Sequence, residues 1–595
     1  MSDARYRTHK AQLEPRADGS SIMTSAWPLG PVARCATDWL DDWAAKAPDR
    51  VFLAERSGAG WREVTYAQAL DMVRAVAAAL AERGMDAQTP ILIISGNSID
   101  HALLTLAAQY IGVPTVPVAE QYALIPAAHS VLERVVGMIH PRMVFADDAA
   151  RYGTALNLPV FDGVEKLAST QAAAGMTTFA SLLRASGDVS ALNAAVGPDT
   201  VAKYLLTSGS TSHPKGVITT QRMMCTNQAQ LAVCLPFVTE KPPVLLDWLP
   251  WNHVFGGSHN FNLVLSNGGT FHIDNGKPIP ALAHHTLDNL RMISPTIAFN
   301  VPVGFAMLRE AMKNDPALQQ QYFQNLDMLF YAGASLPQDV WADLEAMAKA
   351  VRGDMPLFNS SWGLTETAPA ALIQHEFTHQ SGIIGVPLPE VRIKLVPLDD
   401  ENRFEVRVAG DTITPGYLND PDKTSEAFDE EGFFITGDAM RFVDPGDVNK
   451  GMTFDGRIAE EFKLSTGTWV RAAGLRLEVL GKLKGLAADV VITGADRQQV
   501  GVLIVPTDAL RADAVDQAGG LVTPQAAEIA RRLAPRADEG SAQAIRRAMV
   551  LTEPPSMGDG EMTAKGNINF RKLLSQRAAL VDRLYADDDP ATIVI

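Results

Sequence analysis

The sequence predicts an α/β protein: a large N-terminal domain of several subdomains with mostly parallel, layered sheets, followed by a small α+β domain. Three observations carry this. At 595 residues the chain exceeds what one hydrophobic core usually fills. Short β-prone runs alternate with helical patterns through most of its length, the rhythm of parallel sheets joined by helical crossovers. After about Asp438 the rhythm gives way to turn formers, a charge-dense stretch and a new set of strand candidates.

In chain order, the first thirty or so residues are polar and read as an arm over the surface. A helix follows, with Thr65 and Gln68 spaced as a capping box, Leu70, Val73, Ala77 and Leu80 as an apolar stripe, and Gly84 as a stop. "PILIIS" at Pro90–Ser95 reads as a buried strand, Ser98–Ile111 as a helix and "TVPV" as a short strand. "LLDWL", "TIAF" and "LDMLFYAG" extend the alternation. In the tail, "DVVITG", "VGVLIVP" and "AMVLTE" are strand candidates, enough for a separate domain. The boundary falls near Arg457–Ala459, giving domains 1–458 and 459–595. There is no internal repeat and no long low-complexity linker.

Apolar residues make up 47% and charged residues 20%, a globular balance. With 51 Lys+Arg against 68 Asp+Glu the net charge is −17, which removes any broad electrostatic reason to bind nucleic acid or an anionic membrane. Cys35, Cys225 and Cys234 form no CxxC pair and read as small buried hydrophobes. With no signal pattern and no apolar run long enough to span a bilayer, the expectation is a cytoplasmic protein.

Four stretches carry chemistry. In "YLLTSGSTSHPKGVI" (Tyr204–Ile218), Thr207, Ser208, Ser210 and Thr211 offer hydroxyls, Gly209 and Gly216 permit close backbone approach, and Lys215 adds a positive charge. Such a loop can surround a polyphosphate. It is not a Walker loop, because Gly216 rather than Ser or Thr follows the lysine; by spacing alone it reads equally as a solvated turn. "SSWGLTET" (Ser360–Thr367) could be a helix start capped by Thr365. "FITGD" ends at Asp438, and "DGRIAEEFKL" contains Arg457; alone these are a turn residue and a solvated arginine.

In this order, over about 250 residues, the four stretches resemble the signature motifs of the acyl-adenylate-forming superfamily, which includes acyl-CoA synthetases, adenylation domains and beetle luciferases. The resemblance implies that Thr207, Ser208, Gly209, Ser210, Thr211 and Lys215 grip the phosphates of ATP. It implies that Trp362 and Gly363 lie near adenine over a floor of Gly333, Ala334 and Ser335 in "YAGAS". Thr365 would meet the α-phosphate, Glu366 with Thr211 would hold Mg²⁺, and Asp438 and Arg457 would hold ribose and nucleotide. The C-terminal domain would be a mobile lid hinged at the boundary.

The similarity narrows further. "TTQRMMCTNQ", "LLDWLPWNHVFGGSHNFNLVLSNGGTFHIDNGKP", "FNVPVGFAML", "LFYAGASLPQ" and "GRIAEEFKLSTGTWV" resemble feruloyl-CoA synthetases. The implied substrate is an aromatic carboxylic acid such as ferulate, converted through an acyl-adenylate to its coenzyme A thioester with release of AMP and pyrophosphate. His253 would sit beside the carboxylate, and Phe255, Asn300, Pro302, Ala332 and Gly333 would line the acyl pocket. Ala459, Lys463 and Gly467 fall at hinge and coenzyme A positions.

Four departures from the family pattern stand out. Ser212 replaces a glycine, costing about 1–2 kcal/mol if the backbone there is left-handed. Ala459 replaces Asp or Lys, and one extra residue lies between Lys463 and Gly467. In "TAKGNI", Asn567 stands where the late catalytic lysine is expected and Lys565 lies two residues upstream. Lys565 is therefore the candidate for contacting carboxylate and α-phosphate, against the plain reading of a lysine exposed in a turn. Two alternatives share these motifs: an enzyme that loads a separate carrier protein or takes another acid, and an inactive nucleotide-binding regulator. Oligomeric state stays open, a homodimer being one option.

Overall fold

The computed structural model describes residues 5–208, 214–398, 402–537, 539–556, 559–562 and 568–595. The chain divides into two compact units, the second comprising Arg403–Glu405, Gly437–Arg441 and Asp455–Ile595.

Three sheets organise the first unit. In the seven-stranded sheet the order is Pro214–Thr220, Val201–Ser208, Thr115–Pro117, Ile91–Ile93, Met143–Asp148, Glu165–Thr170 and Thr177–Thr178. All neighbours run parallel except the first pair. "PILIIS" thus supplies a wholly buried central strand, and Ser98 caps the helix Ile99–Tyr110 that follows by accepting from His101 N–H. The preceding helix, Tyr66–Glu82, starts on the capping box read from the sequence, Thr65 and Gln68 satisfying each other's backbone N–H. It stops before Gly84, whose φ of +65° no β-carbon residue adopts easily.

A four-stranded sheet runs Val244–Asp247, Thr270–Ile273, Val51–Ser57 and Gly60–Thr65. The third sheet has eleven strands and is mixed. Ile297–Asn300, Met328–Tyr331 and Leu357–Gly363 run parallel with Asn300, Tyr331 and Ser360 in register. Beyond them the pairing of Leu357–Gly363, Ala370–Gln374 and Ile383–Pro387 turns antiparallel.

The N-terminal residues do not form a surface arm. Ala11–Pro15 and Ser21–Ser25 pair as a hairpin, and the second strand adds to Arg392–Pro397 in the eleven-stranded sheet. Met23 explains it: in the middle of "SIMTS" it points inward and is fully buried opposite Ile393, while the flanking Ile22 and Thr24 are only half-buried. The turn formers of "FITGDAMRF" likewise fail to break a strand. Phe434–Phe442 is continuous for 9 residues, with Gly437 absorbing a φ of +70°.

In the second unit a six-stranded sheet contains Ala487–Thr493, Val500–Pro506 and Ile545–Leu551, the three strands expected from the tail. Val490, Val502, Ile504 and Val550 pack with Leu475 and Val479 of the helix Ala472–Lys482 into its own core. All three cysteines are buried and free. Among the described residues no helix is long and apolar enough to cross a membrane.

Candidate functional site

The hydroxyl-rich stretch is built on a hairpin. Val201–Ser208 and Pro214–Thr220 pair antiparallel, which sets Thr207 opposite Lys215 and Leu206 opposite Gly216. Gly209, Ser210, Thr211, Ser212 and His213 lie outside the described residues, as does Lys565.

A distant segment docks on the second strand of this hairpin. Leu418 N–H donates to Gly216 O (2.8 Å) and Ile218 N–H to Gly416 O (3.1 Å), while Thr414 Oγ1 donates to Ile218 O (2.7 Å). The same segment binds the second motif: Thr414 N–H donates to Glu366 O at 2.8 Å, and Tyr417 Oη donates to Glu366 Oε1 at 3.0 Å. Lys215 Nζ lies 4.6 Å from the centre of the Tyr417 ring, within cation–π range. Tyr417 therefore has the candidate phosphate-binding cation on its face and the candidate magnesium ligand on its hydroxyl. Burial, reinforced by the Glu366 carboxylate, pushes the Tyr417 phenol well above its usual value, so it stays a hydrogen-bond donor. Neither Tyr417 nor Thr414 was singled out from the sequence. "TITPGYL" looks like an ordinary turn, and only the long-range pairing gives it a role.

Three other predicted segments leave the carboxyl ends of adjacent parallel strands, the edge where open α/β sheets bind ligands. Asn300 ends one strand, and Pro302 opens the helix Pro302–Met312 beyond it. Asn300 Oδ1 is already engaged, accepting from Val301 N–H (2.9 Å) and Trp248 Nε1–H (3.3 Å). After Tyr331 the chain leaves the sheet through half-buried Ala332 to exposed Gly333, Ala334 and Ser335, with Gly333 at φ +86°. The third strand carries buried Trp362 and ends at Gly363, followed by the turn Thr365–Thr367. Gly363 has no alternative: a β-carbon there would lie 1.7 Å from Pro369 O. Thr365 is buried and Glu366 half-buried.

The acyl segment forms a widened, π-helical turn over Phe255–Asn260. Phe255 packs in a ring cluster with His259 (5.7 Å), Phe299 and Phe330 (5.9 Å each). His253 Nδ1 accepts from Phe255 N–H at 3.3 Å. Behind the cluster, Asn260 Nδ2 donates to Asp247 Oδ2 (2.7 Å), which turns Asn260 Oδ1 toward His259 Nδ1 (2.9 Å) and makes that nitrogen the donor. Burial drives His259 down to about 4 and Asp247 up to about 7. The cluster is thus an apolar group of rings, packed edge-to-face and tilted, that includes a neutral imidazole.

In the second unit, Asp438 and Arg457 come together as an ion pair, Nε to Oδ1 at 2.9 Å, with Asp438 buried and Arg457 half exposed. Arg403 ties both ends of the Arg457 segment by pairing with Asp455 and Glu461. Ala459 lies in the turn Ile458–Glu460 and offers its carbonyl to Arg571 (3.4 Å). Lys463 and Gly467 belong to the small hairpin Phe462–Lys463/Trp469–Val470, Lys463 Nζ 4.9 Å from the Trp469 ring and Gly467 turning at φ +83°.

Among the described residues no three His, Cys, Asp or Glu side chains gather as a metal cage. A single carboxylate fits Mg²⁺ bound mainly by water and substrate phosphates, and Glu366 has the hard oxygen donor that such an ion takes.

Residues 40–418 match the AMP-binding enzyme family, and residues 462–589 match the AMP-binding enzyme C-terminal domain. The chain belongs to the AMP-binding enzyme family. The two matched stretches of this AMP-binding enzyme contain the hairpin, the Glu366 motif and Tyr417 on one side and Lys463 on the other. The Asp438–Arg457 pair falls between them. The carboxylic acid reductase of Mycobacterium marinum is 25% identical over 582 residues, covering 88% of this chain and 46% of the reductase. The long-chain-fatty-acid–CoA ligase of Salmonella typhimurium is 30% identical over 257 residues, covering 41% of this chain and 43% of the ligase. The aligned part thus spans less than half of either relative. In fold, the chain is similar to the A domain of the carboxylic acid reductase from Segniliparus rugosus, solved in complex with AMP and a co-purified carboxylic acid. That match has a TM-score of 0.70 at 18% identity, covering 93% of this chain and 94% of that one.

Proposed function

We propose that this AMP-binding enzyme is an ATP-dependent acid–thiol ligase that activates an aromatic, hydroxycinnamic-type acid such as ferulate. The observation that carries the reading is the Lys215–Tyr417–Glu366 arrangement, which holds a cation and a carboxylate at fixed positions beside Thr365 and the Thr207 hairpin. In the first half-reaction a substrate carboxylate oxygen attacks the α-phosphorus of ATP, and pyrophosphate leaves with the bond's electron pair, forming the acyl-adenylate. In the second, the coenzyme A thiol loses its proton and attacks the acyl carbon, giving thioester and AMP. Negative charge spreads over oxygens in both steps, so positioning and electrostatic stabilisation are the protein's main tasks.

Lys215 and the hairpin hydroxyls would neutralise the departing β- and γ-phosphates, and Thr365 would donate to the α-phosphate. The Asp438 carboxylate suits ribose hydroxyls, with Arg457 beside it. Mg²⁺, when bound by Glu366 and Thr211, would neutralise phosphate charge. His253 is placed in the reading beside the carboxylate, and the Phe255–His259–Phe299–Phe330 cluster supports a planar aryl group. Domains 1–458 and 459–595 would act as catalytic body and lid.

Lys565 is proposed to contact carboxylate and α-phosphate during adenylation. In Lys565→Ala, acid-dependent pyrophosphate release is expected to fall about 10²-fold while conversion of supplied acyl-adenylate to thioester persists; unchanged adenylation would sink the assignment.

The likeness to carboxylic acid reductases favours a second reading, the same adenylation followed by transfer to a separate carrier thiol. A panel of cinnamates, benzoates and fatty acids, scored for AMP and for thioester with free coenzyme A, tests both. Hydroxycinnamates are expected to lead the panel and to yield free thioester. AMP formation without thioester would favour the carrier, and a faster fatty acid or benzoate would remove the substrate class.

A further inference from the structure

Lys203 is a buried lysine that the roles above do not use. It lies on the strand Val201–Ser208, opposite Thr219 and beside Thr115, with 3% of its surface exposed. Among the described residues no carboxylate pairs with it. Nζ donates to Gly257 O at 2.9 Å. Burial alone brings its amine down to about 8, and the neighbouring His101 is itself pushed by burial to about 4, with the lysine's charge adding to the effect. A buried amine with no counter-charge costs stability that an apolar side chain of the same length would not, and a structural or functional use would offset that cost.

Its partner supplies one. Gly257 is tied at both ends: its carbonyl accepts from Lys203, and its N–H donates to His253 O at 2.8 Å. Gly257 sits in the widened turn that carries Phe255 and His259, and such turns leave carbonyls in need of other donors. A second carbonyl of the turn, His259 O, accepts from Gln228 Nε2 at 3.1 Å. Gln228 belongs to the helix Gln221–Cys234, which starts directly after the second strand of the hairpin. One of these side-chain donors therefore comes from the first arm of the hairpin and the other from the helix that continues its second arm. The turn cannot be held by bulk instead, since β-carbons at Gly256 and Gly257 would lie 2.4 Å from Leu249 O and 2.1 Å from Trp251 O.

We propose that Lys203 is a positioning residue for the acid: by holding Gly257 it sets His253 and Phe255 in the geometry that the acyl group meets and ties that geometry to the phosphate hairpin. This rests on the function proposed above. Lys203→Met keeps side-chain length and removes the donor. The expected result is an acid KM raised about tenfold, an ATP KM within about threefold of wild type, and a melting temperature equal or higher. Amide exchange across residues 253–260, read without substrate, is expected to speed up about tenfold. Gln228→Met, cutting the other bond to the turn, is expected to show the same acid-specific pattern more weakly, and it serves should Lys203→Met fail to fold. Wild-type acid KM and wild-type exchange in the folded variants overturn the proposal, and so does a lowered melting temperature with acid and ATP parameters falling together. The exchange readout needs no acid, so absence of AMP formation by the wild-type protein with every acid would end the functional reading while leaving this result to stand or fall by itself.

Discussion

Glu366→Gln is expected to lower kcat/KM for acid-dependent AMP formation by about 10²–10³-fold with the fold intact, the scale of losing one preorganised electrostatic contact to the transition state. The substitution is nearly isosteric. The carboxamide oxygen still accepts from Tyr417 Oη, and the backbone bond from Thr414 N–H to Glu366 O is untouched. What disappears is the negative charge, and with it the hard anionic oxygen that binds Mg²⁺. Because neither anchoring bond is lost, melting temperature is expected to stay within about 1 °C, a shift worth about 1 kcal/mol in a protein of this size. The check is AMP release across a Mg²⁺ titration: the variant should need far more metal or fail to saturate. Rates within threefold of wild type at low Mg²⁺ would remove Glu366 from the reaction.

Gly363→Ala is expected to act through the fold and to be the most damaging one-atom addition in the motif. Its β-carbon would sit 1.7 Å from Pro369 O and 2.6 Å from the same carbonyl carbon. The obstacle is backbone, not the end of a flexible side chain, so strand Leu357–Gly363 or the turn after it must move. Overpacking of this kind costs about 1–3 kcal/mol or more, and here the displaced atoms lead directly into Thr365 and Glu366. The expected outcome is a lower melting temperature together with AMP formation reduced by about 10²-fold. Differential scanning calorimetry with AMP assays checks both, and a variant with wild-type melting temperature and activity would show that this carbonyl is not held where the structure has it.

Local elements were the most legible part of the molecule. The Thr65–Gln68 capping box, the Ser98 cap and the strands at Ile91–Ile93 and Val500–Pro506 follow from residues that neighbour one another in the chain. Two expectations about irregularity were wrong for related reasons. "AQLEP" and "SIMTS" looked too polar for a sheet, yet an edge hairpin needs only one inward apolar residue, and Met23 provides it. "FITGDAMRF" holds Gly-Asp, but a glycine at positive φ within a strand bends it without ending it.

The amino-acid sequence determined which side chains are available for chemistry and which short motifs carry them: Thr207 and Lys215 in one hydroxyl-rich stretch, Thr365 and Glu366 in a second, Asp438 and Arg457 in two more. The tertiary structure alone decided what supports them. Thr414 reaches Ile218 across 196 residues of chain, Tyr417 joins Lys215 to Glu366, and Lys203 meets Gly257 across 54. A cap or an alternating strand leaves its mark within a few residues because its partners are a few residues away. Hydrogen bonds between segments this distant depend on how whole sheets pack, and no short stretch of sequence carries that information.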